Sequence, residues 1–172
     1  MQKLLIIMLA GVLFAVACTS KKTEYASENG KVKAVHDERN DRWLITDSTG
    51  NEPITDYDSM RVTERGEDGH PMTVCYYKGN RELWLQYYTG MTPRSRGELV
   101  DGQREGPWVF YYPDGKVQVE ATFVAGREEG GYRVYRQNGV PFYIGQYHAG
   151  ARTGTWEVYD EEGNLVEMRS YD

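Results

Sequence analysis

The chain lacks most of the features that announce a chemistry. Among its 172 residues are two cysteines and three histidines, His36, His70 and His148, none of which has a second His or a Cys at metal-ligand spacing. No Gly-x-Ser-x-Gly elbow and no phosphate-binding loop occurs. Basic residues number 20 against 26 acidic ones and form no stripe, which argues against a nucleic-acid partner. The sequence therefore predicts no metal, no cofactor and no catalytic constellation.

Only one long hydrophobic run occurs, and it lies at the N-terminus. Met1-Gln2-Lys3 precedes 14 apolar or small residues, Leu4 to Ala17, which is too short to span a bilayer and fits a secretory signal. The run ends in Ala15-Val16-Ala17-Cys18, which resembles a bacterial lipobox. That resemblance implies a signal peptide over 1–17 and acylation of Cys18, for example with palmitate, whereas the alternative is an ordinary cleavage site with an incidental cysteine.

The residues after Cys18 bear on the membrane to which the lipid would attach. Thr19 and Ser20 stand where enterobacterial lipoproteins retained in the inner membrane carry Asp, and this resemblance implies the outer membrane. Lys21 and Lys22 do not resemble the acidic tags of surface-exposed lipoproteins. We therefore expect a cell-envelope protein, lipid-anchored in the outer membrane and facing the periplasm. With Cys18 acylated, Cys75 would be a buried small hydrophobe.

The remainder of the chain divides into three parts. Residues 18–41 are polar and are predicted to form a flexible tether, because they offer too little apolar surface to offset their ordering entropy. Residues 42–80 read as divergent β-hairpins, with Asp68-Gly69 as a strong turn signal. Residues 81–172 read as a repeat sheet, with a degenerate copy over 78–99 and clear copies over 100–123, 124–147 and 148–172.

The last third of the chain carries an ungapped 24-residue repeat. The glycine columns at this spacing are Gly102, Gly126 and Gly150, then Gly106, Gly130 and Gly154, then Gly115, Gly139 and Gly163. After Gly115, the apolar residues Val117, Val119, Ala121 and Phe123 alternate with polar ones, which indicates a half-buried strand. The sequence predicts an all-β fold, an elongated antiparallel β-meander of stacked hairpins with about eight to ten strands. Gly106, Gly130 and Gly154 are expected to take positive φ in the turns between hairpins.

The repeat pattern Gly-x-x-x-Gly-x-Trp-x-x-Tyr-x-x-x-Gly starts at Gly102 and again at Gly150. It resembles the MORN repeat variant (membrane occupation and recognition nexus), and the middle copy departs from it by Tyr132 in place of Trp. The resemblance implies an elongated sheet used as a scaffold or binding surface. Bacterial relatives often carry an antitoxin-like label, which implies an inhibitor of a partner protein as an alternative.

Two aromatic columns are the candidate binding surface. They are predicted to lie on opposite faces of the sheet, one formed by Trp84, Trp108, Tyr132 and Trp156 and the other by Tyr87, Tyr111, Tyr135 and Tyr159. Stripes of Tyr and Trp suit a protein or glycan partner, because these rings give large contact areas at low entropic cost. Equally, cross-strand aromatic pairs can simply stabilise a thin sheet.

The sequence thus predicts a non-enzymatic envelope lipoprotein that binds a protein or a glycan. A carbohydrate-active enzyme is the less favoured alternative, since it would need two carboxylates in fixed geometry, and the acidic clusters fall in turns. The last predicted strand ends near Tyr171, and its edge could pair with another chain, which suggests a homo-oligomer.

Overall fold

The computed structural model describes the backbones of residues 22–26, 32–37 and 42–47, and residues 57–172 with their side chains. These residues form thirteen strands and contain no helix. The strands are β1 (Lys22–Ala26), β2 (Val32–Asp37), β3 (Arg42–Asp47), β4 (Ser59–Arg65), β5 (Pro71–Lys78), β6 (Arg81–Tyr87), β7 (Pro93–Val100), β8 (Gln103–Tyr111), β9 (Val117–Val124), β10 (Arg127–Tyr135), β11 (Pro141–His148), β12 (Ala151–Tyr159) and β13 (Leu165–Tyr171).

The predicted all-β meander is confirmed. Strands β4 to β13 form one ten-stranded antiparallel sheet in which every strand pairs with its neighbours in sequence. Ten strands with nine spacings of about 4.8 Å extend over roughly 43 Å, longer than any of the strands themselves. The sheet is therefore elongated along its hydrogen-bonding direction and is built from successive hairpins.

The N-terminal part differs from the sequence expectation. Residues 18–41 were predicted to be a tether without regular structure, but β1 and β2 lie within this range and pair antiparallel with each other. Together with β3 they form a separate three-stranded sheet. Their paired backbones satisfy one another's hydrogen bonds, so a strand can form even where few large apolar side chains are available.

Two kinds of turn alternate along the repeats. At one end of the hairpins Gly115 has φ 82° and its N–H donates to the carbonyl of Tyr112 at 2.8 Å. The Tyr112 N–H donates to the carbonyl of Lys116 at 2.8 Å, so the strands are joined by a three-residue loop that ends in a left-handed glycine. At the other end two residues suffice: Asp101-Gly102, Ala125-Gly126 and Ala149-Gly150 all have positive φ at both positions. This is the type I′ geometry, whose twist matches that of the flanking strands.

Gly106, Gly130 and Gly154 have positive φ as predicted, with values of 66°, 76° and 64°, but the predicted location is wrong. They lie inside β8, β10 and β12 rather than in turns. Near Gly106, Glu105 and Val109 of β8 are four residues apart, but they pair with Glu98 and Arg96 of β7, which are only two residues apart. The glycine therefore serves a β-bulge, where a left-handed residue accommodates the extra length.

Buried side chains lie on both faces of the ten-stranded sheet. One cluster comprises Val74, Tyr76, Leu83, Leu85, Tyr87 and Met91. A second cluster comprises Trp108, Ala121 and Phe123, with Trp84 and Tyr132 packed against it. Because Trp84 alternates with Leu83 and Leu85 along β6, the two clusters occupy opposite faces.

Candidate binding surface

The first aromatic column lies on one face of the sheet, which we call the tryptophan face. Trp108, Tyr132 and Trp156 are linked there through cross-strand neighbours, with Tyr132 directly opposite both Ala121 and Gly145. Trp108 is 4% exposed and Trp156 is 3% exposed. Both indoles are thus buried.

Each buried indole packs on a glycine of the preceding strand. A Cβ atom added to Gly97 would lie 2.1 Å from the ring of Trp108, and one added to Gly145 would lie 2.2 Å from the ring of Trp156. Each Nε1–H also donates to a backbone carbonyl at 3.1 Å, that of Glu98 for Trp108 and that of Gln146 for Trp156. The bulge at Gly106 or Gly154 positions the indole above its glycine.

In the middle copy both partners of the indole–glycine contact are different residues. Tyr132 replaces tryptophan and lies opposite Ala121, which occupies the position of the missing glycine. Gly97, Ala121 and Gly145 are themselves 24 residues apart, so ring size and backbone clearance vary together. Sequence reasoning missed this column of small residues, although its spacing was readable beside that of the tryptophans.

Arginines cover the solvent side of the tryptophan face. The Arg104 guanidinium lies 4.8 Å from the ring centre of Trp108 and 5.1 Å from that of Phe123. Arg152 lies 4.5 Å from the ring centre of Trp156. These cation–π contacts engage the rings within the molecule, and together with burial they favour a structural role for Trp108 and Trp156. Trp84 and Tyr132, in the same column, are half-buried.

The second column lies on the opposite face, which we call the tyrosine face. Tyr87 is 5% exposed and belongs to the Val74 cluster, whereas Tyr111, Tyr135 and Tyr159 are half-buried. The hydroxyl of Tyr135 donates to Glu120 Oε2 at 2.9 Å, and that of Tyr159 donates to Glu157 Oε2 at 2.6 Å. Two tyrosine rings are therefore held in a fixed orientation while part of their surface remains accessible.

These hydrogen bonds also perturb the phenols. Burial, and then the bond to Glu120, raises the pKa of Tyr135. The bond to Glu157, and then burial, raises the pKa of Tyr159. A raised pKa keeps both phenols protonated at ordinary pH, so each hydroxyl can donate to its carboxylate.

Two shallow grooves interrupt the tyrosine face at matching positions. One, of about 350 Å³, includes Gly97, Glu98, Pro107 and Val109. The other, of about 240 Å³, includes the residues 48 positions later, Gly145, Gln146, Thr155 and Glu157. They lie behind the glycines that carry the indoles, so the same repeat geometry shapes both faces.

The groups most often used in chemistry are occupied by local structure. Asp160 Oδ1 accepts from the backbone N–H groups of Glu162 and Asn164, and Glu129 Oε2 accepts from that of Ala149 at 2.8 Å. Cys75 is fully buried, and burial raises the pKa of its thiol. Within residues 57–172 no three metal-ligating side chains converge. The acidic clusters thus act as turn-forming residues here.

The predicted signal peptide and Cys18 lie outside the described residues. The described part of the chain offers no helix with the length and apolar character needed to cross a bilayer. Acylation at Cys18 stays a prediction.

Comparison with known proteins identifies the repeats. The MORN repeat variant family matches residues 104–125 and 152–172, which span β8 to β9 and β12 to β13. The chain therefore contains MORN repeat variants, as its glycine and aromatic columns predicted. No curated protein matches the sequence.

Solved structures that align with the chain include TarM and an S. aureus TarM variant in complex with fondaparinux, alpha-GlcNAc-glycerol and UDP. In both cases the identity is 12%, the TM-score is 0.25, and the alignment covers 80% of this chain and 19% of the other. The chain thus spans about a fifth of the length of these proteins.

Proposed function

We propose that this chain is a non-enzymatic, lipid-anchored protein of the cell envelope that binds a protein partner through the tyrosine face of its repeat sheet. The repeats provide a rigid scaffold, and Cys18 would provide the anchor. The observation that carries the proposal is the difference between the two aromatic columns. The indoles of Trp108 and Trp156 are buried under arginines, whereas Tyr111, Tyr135 and Tyr159 are only half-buried.

The surroundings of these tyrosines favour a protein over a glycan. Val109 and Ile144 lie on the same face, beside Glu120 and Arg133, whose charged atoms are 3.9 Å apart. Protein interfaces combine such oriented aromatic rings with apolar patches and a charged rim. Orientation by Glu120 and Glu157 also lowers the entropy lost when the rings are covered.

The test is site-specific photocrosslinking in intact cells. A photoreactive phenylalanine analogue replaces Tyr135 or Tyr159, and in the matched control it replaces Tyr143, a half-buried tyrosine on the tryptophan face. We expect one discrete adduct from positions 135 and 159, in which mass spectrometry finds peptides of a second protein, and none from 143. The double variant with Tyr135→Ala and Tyr159→Ala, which carries no photoreactive residue, should recover about tenfold less of the same partner, because it lacks two interface aromatics.

Two outcomes would contradict this assignment. An adduct that contains no peptide of a second protein, and whose added mass is removed by glycosidases, would make the partner a glycan. Equal crosslinking from positions 135, 159 and 143 would mean that the tyrosine face has no special role.

The anchor is tested separately with Cys18→Ser. This variant should incorporate no labelled fatty acid and should leave the membrane fraction, because acyl chains contribute about 0.8 kcal/mol for each buried CH₂. If the Ser variant is cleaved at the same bond and remains with the membrane, the lipid-anchor proposal is wrong.

A further inference from the structure

The edge strand β13 exposes an unusual set of side chains. Leu165 is 48% exposed, and Val166 and Met168 are each 59% exposed. One side of β13 pairs with β12, and its other side is an edge of the ten-stranded sheet. A flat edge with exposed apolar side chains is a template for pairing with another strand.

We propose that two copies of this chain associate through β13, which pairs antiparallel with β13 of the second copy about a two-fold axis located between the two Met168 residues. The ten-stranded sheets of both copies then continue as one sheet.

Symmetry limits how the two strands can pair. Antiparallel strands in a continuous sheet are related by a two-fold axis perpendicular to that sheet, so each face of one copy continues into the same face of the other. Residues that meet must therefore lie on the same face, and the axis must fall at a residue position rather than between two positions. In every allowed register, therefore, one residue of β13 lies at the axis, directly opposite its own copy in the second chain.

Charge selects one register among those that remain. With Met168 at the axis, Glu167 meets Arg169 of the second copy and Arg169 meets its Glu167. With Glu167 at the axis two carboxylates would meet, and with Arg169 at the axis two guanidinium groups would meet. Opposite charges stabilise cross-strand pairs and like charges destabilise them, so the register centred on Met168 is favoured.

The same register also brings apolar residues together at two positions. Leu165 comes opposite Tyr171 of the second copy, whose equivalent in this chain packs against Trp156 with ring centres 6.3 Å apart. On the tyrosine face the two Met168 side chains meet. The Arg169 Nε lies 2.5 Å from Glu167 Oε1 within one strand, so the dimer joins two such pairs into a network of four charges.

The first experiment exchanges the charges in the complete chain, purified in mild detergent and followed by sedimentation across a concentration series. Glu167→Arg should weaken dimerisation by about tenfold, because two opposite-charge pairs become like-charge pairs. The double variant with Glu167→Arg and Arg169→Glu should restore the wild-type dissociation constant. A monomeric wild type, or a double variant no better than the single one, would overturn the proposal.

The second experiment reads the register directly. Met168→Cys should form an intermolecular disulfide on mild oxidation, because its two copies are direct cross-strand neighbours, about 4.5–5.5 Å apart at Cβ. Val166→Cys should not crosslink to itself but should crosslink to Ser170→Cys when the two variants are mixed. Self-crosslinking of Glu167→Cys or Arg169→Cys in preference to Met168→Cys would reject this register. Cys18→Ser should dimerise like the wild type, and loss of the dimer there would assign association to the lipid.

Discussion

The two halves of the ten-stranded sheet bury different kinds of side chain on different faces. In β4 to β7 the buried cluster is largely aliphatic and lies on the tyrosine face, with Val74 fully buried and Leu83 5% exposed. In β8 to β12 the buried residues are mainly aromatic and lie on the tryptophan face, as Trp108 and Trp156 do. Along β13 burial is lost except at Tyr171. The protein thus combines a largely aliphatic cluster in its first half with repeated packing of aromatic rings against the neighbouring strand in its second half.

Hydrogen bonds between successive repeats show how the second half holds together. The side chains of Tyr88, Tyr112 and Arg136 each donate to a carbonyl 23 residues later, at 3.0, 2.8 and 2.9 Å. The N–H groups of Gly126 and Gly150 donate to carbonyls 22 residues earlier, those of Arg104 and Glu128, at 2.9 Å. Each repeat therefore stabilises its neighbour, and stability in this half is expected to be a sum of nearest-neighbour terms.

The largest expected effect comes from removing an indole. Trp108→Ala should lower the free energy of unfolding by about 3–5 kcal/mol, since it removes a buried ring and leaves a cavity. Tyr132→Ala should cost less, because its ring is half-buried. Urea denaturation gives these values.

Hydrogen exchange sharpens the comparison: Trp156→Ala should increase exchange in β11 to β13 and leave β4 to β6 protected. Equal loss of protection in both halves would mean that they unfold as one unit.

A smaller effect is expected from filling the space under the indoles. Gly97→Ala should destabilise by about 1–3 kcal/mol, because its Cβ collides with Trp108 and the ring must move. The matched control is Gly106→Ala, which has φ 66° and no atom within 4 Å of its Cβ. It should cost only the left-handed penalty, about 1–2 kcal/mol.

Combining Gly97→Ala with Trp108→Tyr recreates the pair that Ala121 and Tyr132 form in the middle copy. The double variant should therefore lose less stability than the sum of the two single variants, with a coupling of about 1 kcal/mol or more in urea titrations. Strict additivity would mean that ring size and glycine are not matched, and that the shared spacing of the two columns has no energetic basis.

The fold was predictable because its signals are local. Asp114-Gly115 specifies its own turn, and the alternation from Val117 to Phe123 assigns a strand and its faces without distant information. Two glycines four positions apart, such as Gly126 and Gly130, were harder to interpret. Both accept positive φ, but only pairing with the next strand shows that the first closes the turn and the second forms the bulge.

The candidate surface was only half predictable, for the same reason. Alternation correctly places the two aromatic columns on opposite faces. Burial of Trp108 depends on two other residues. Gly97 lies against its ring from the neighbouring strand, and Arg104, four residues earlier in β8, lies over the ring. Such contacts depend on the register between β7 and β8. A bulge of two extra residues in β8 shifts this register, and alternation alone does not predict it.

The smallest expected effect concerns acid, and it tests the first half of the sheet. Glu98 accepts hydrogen bonds from Arg81 Nη2 at 2.8 Å and Tyr57 Oη at 2.7 Å, linking β7 to β6 and to the residues before β4. Burial alone would raise the pKa of Glu98, but these bonds outweigh burial and hold it below 4.5. The positions 24 and 48 residues later are Thr122 and Gln146, so the repeats lack this carboxylate.

Since the folded protein holds the pKa of Glu98 below its unfolded value, the folded state binds this proton less readily. Its contribution is therefore complete above pH 4.5 and is lost as the pH falls through the lowered pKa. Glu98→Gln should be less stable than wild type at pH 7 by less than about 1 kcal/mol, because Glu98 and Arg81 are partly exposed. The difference in melting temperature should shrink as the pH falls below 4.5, and Arg81→Gln should reproduce this behaviour. A difference that stays constant from pH 7 into that acid range would show that the carboxylate charge does not stabilise this half of the sheet.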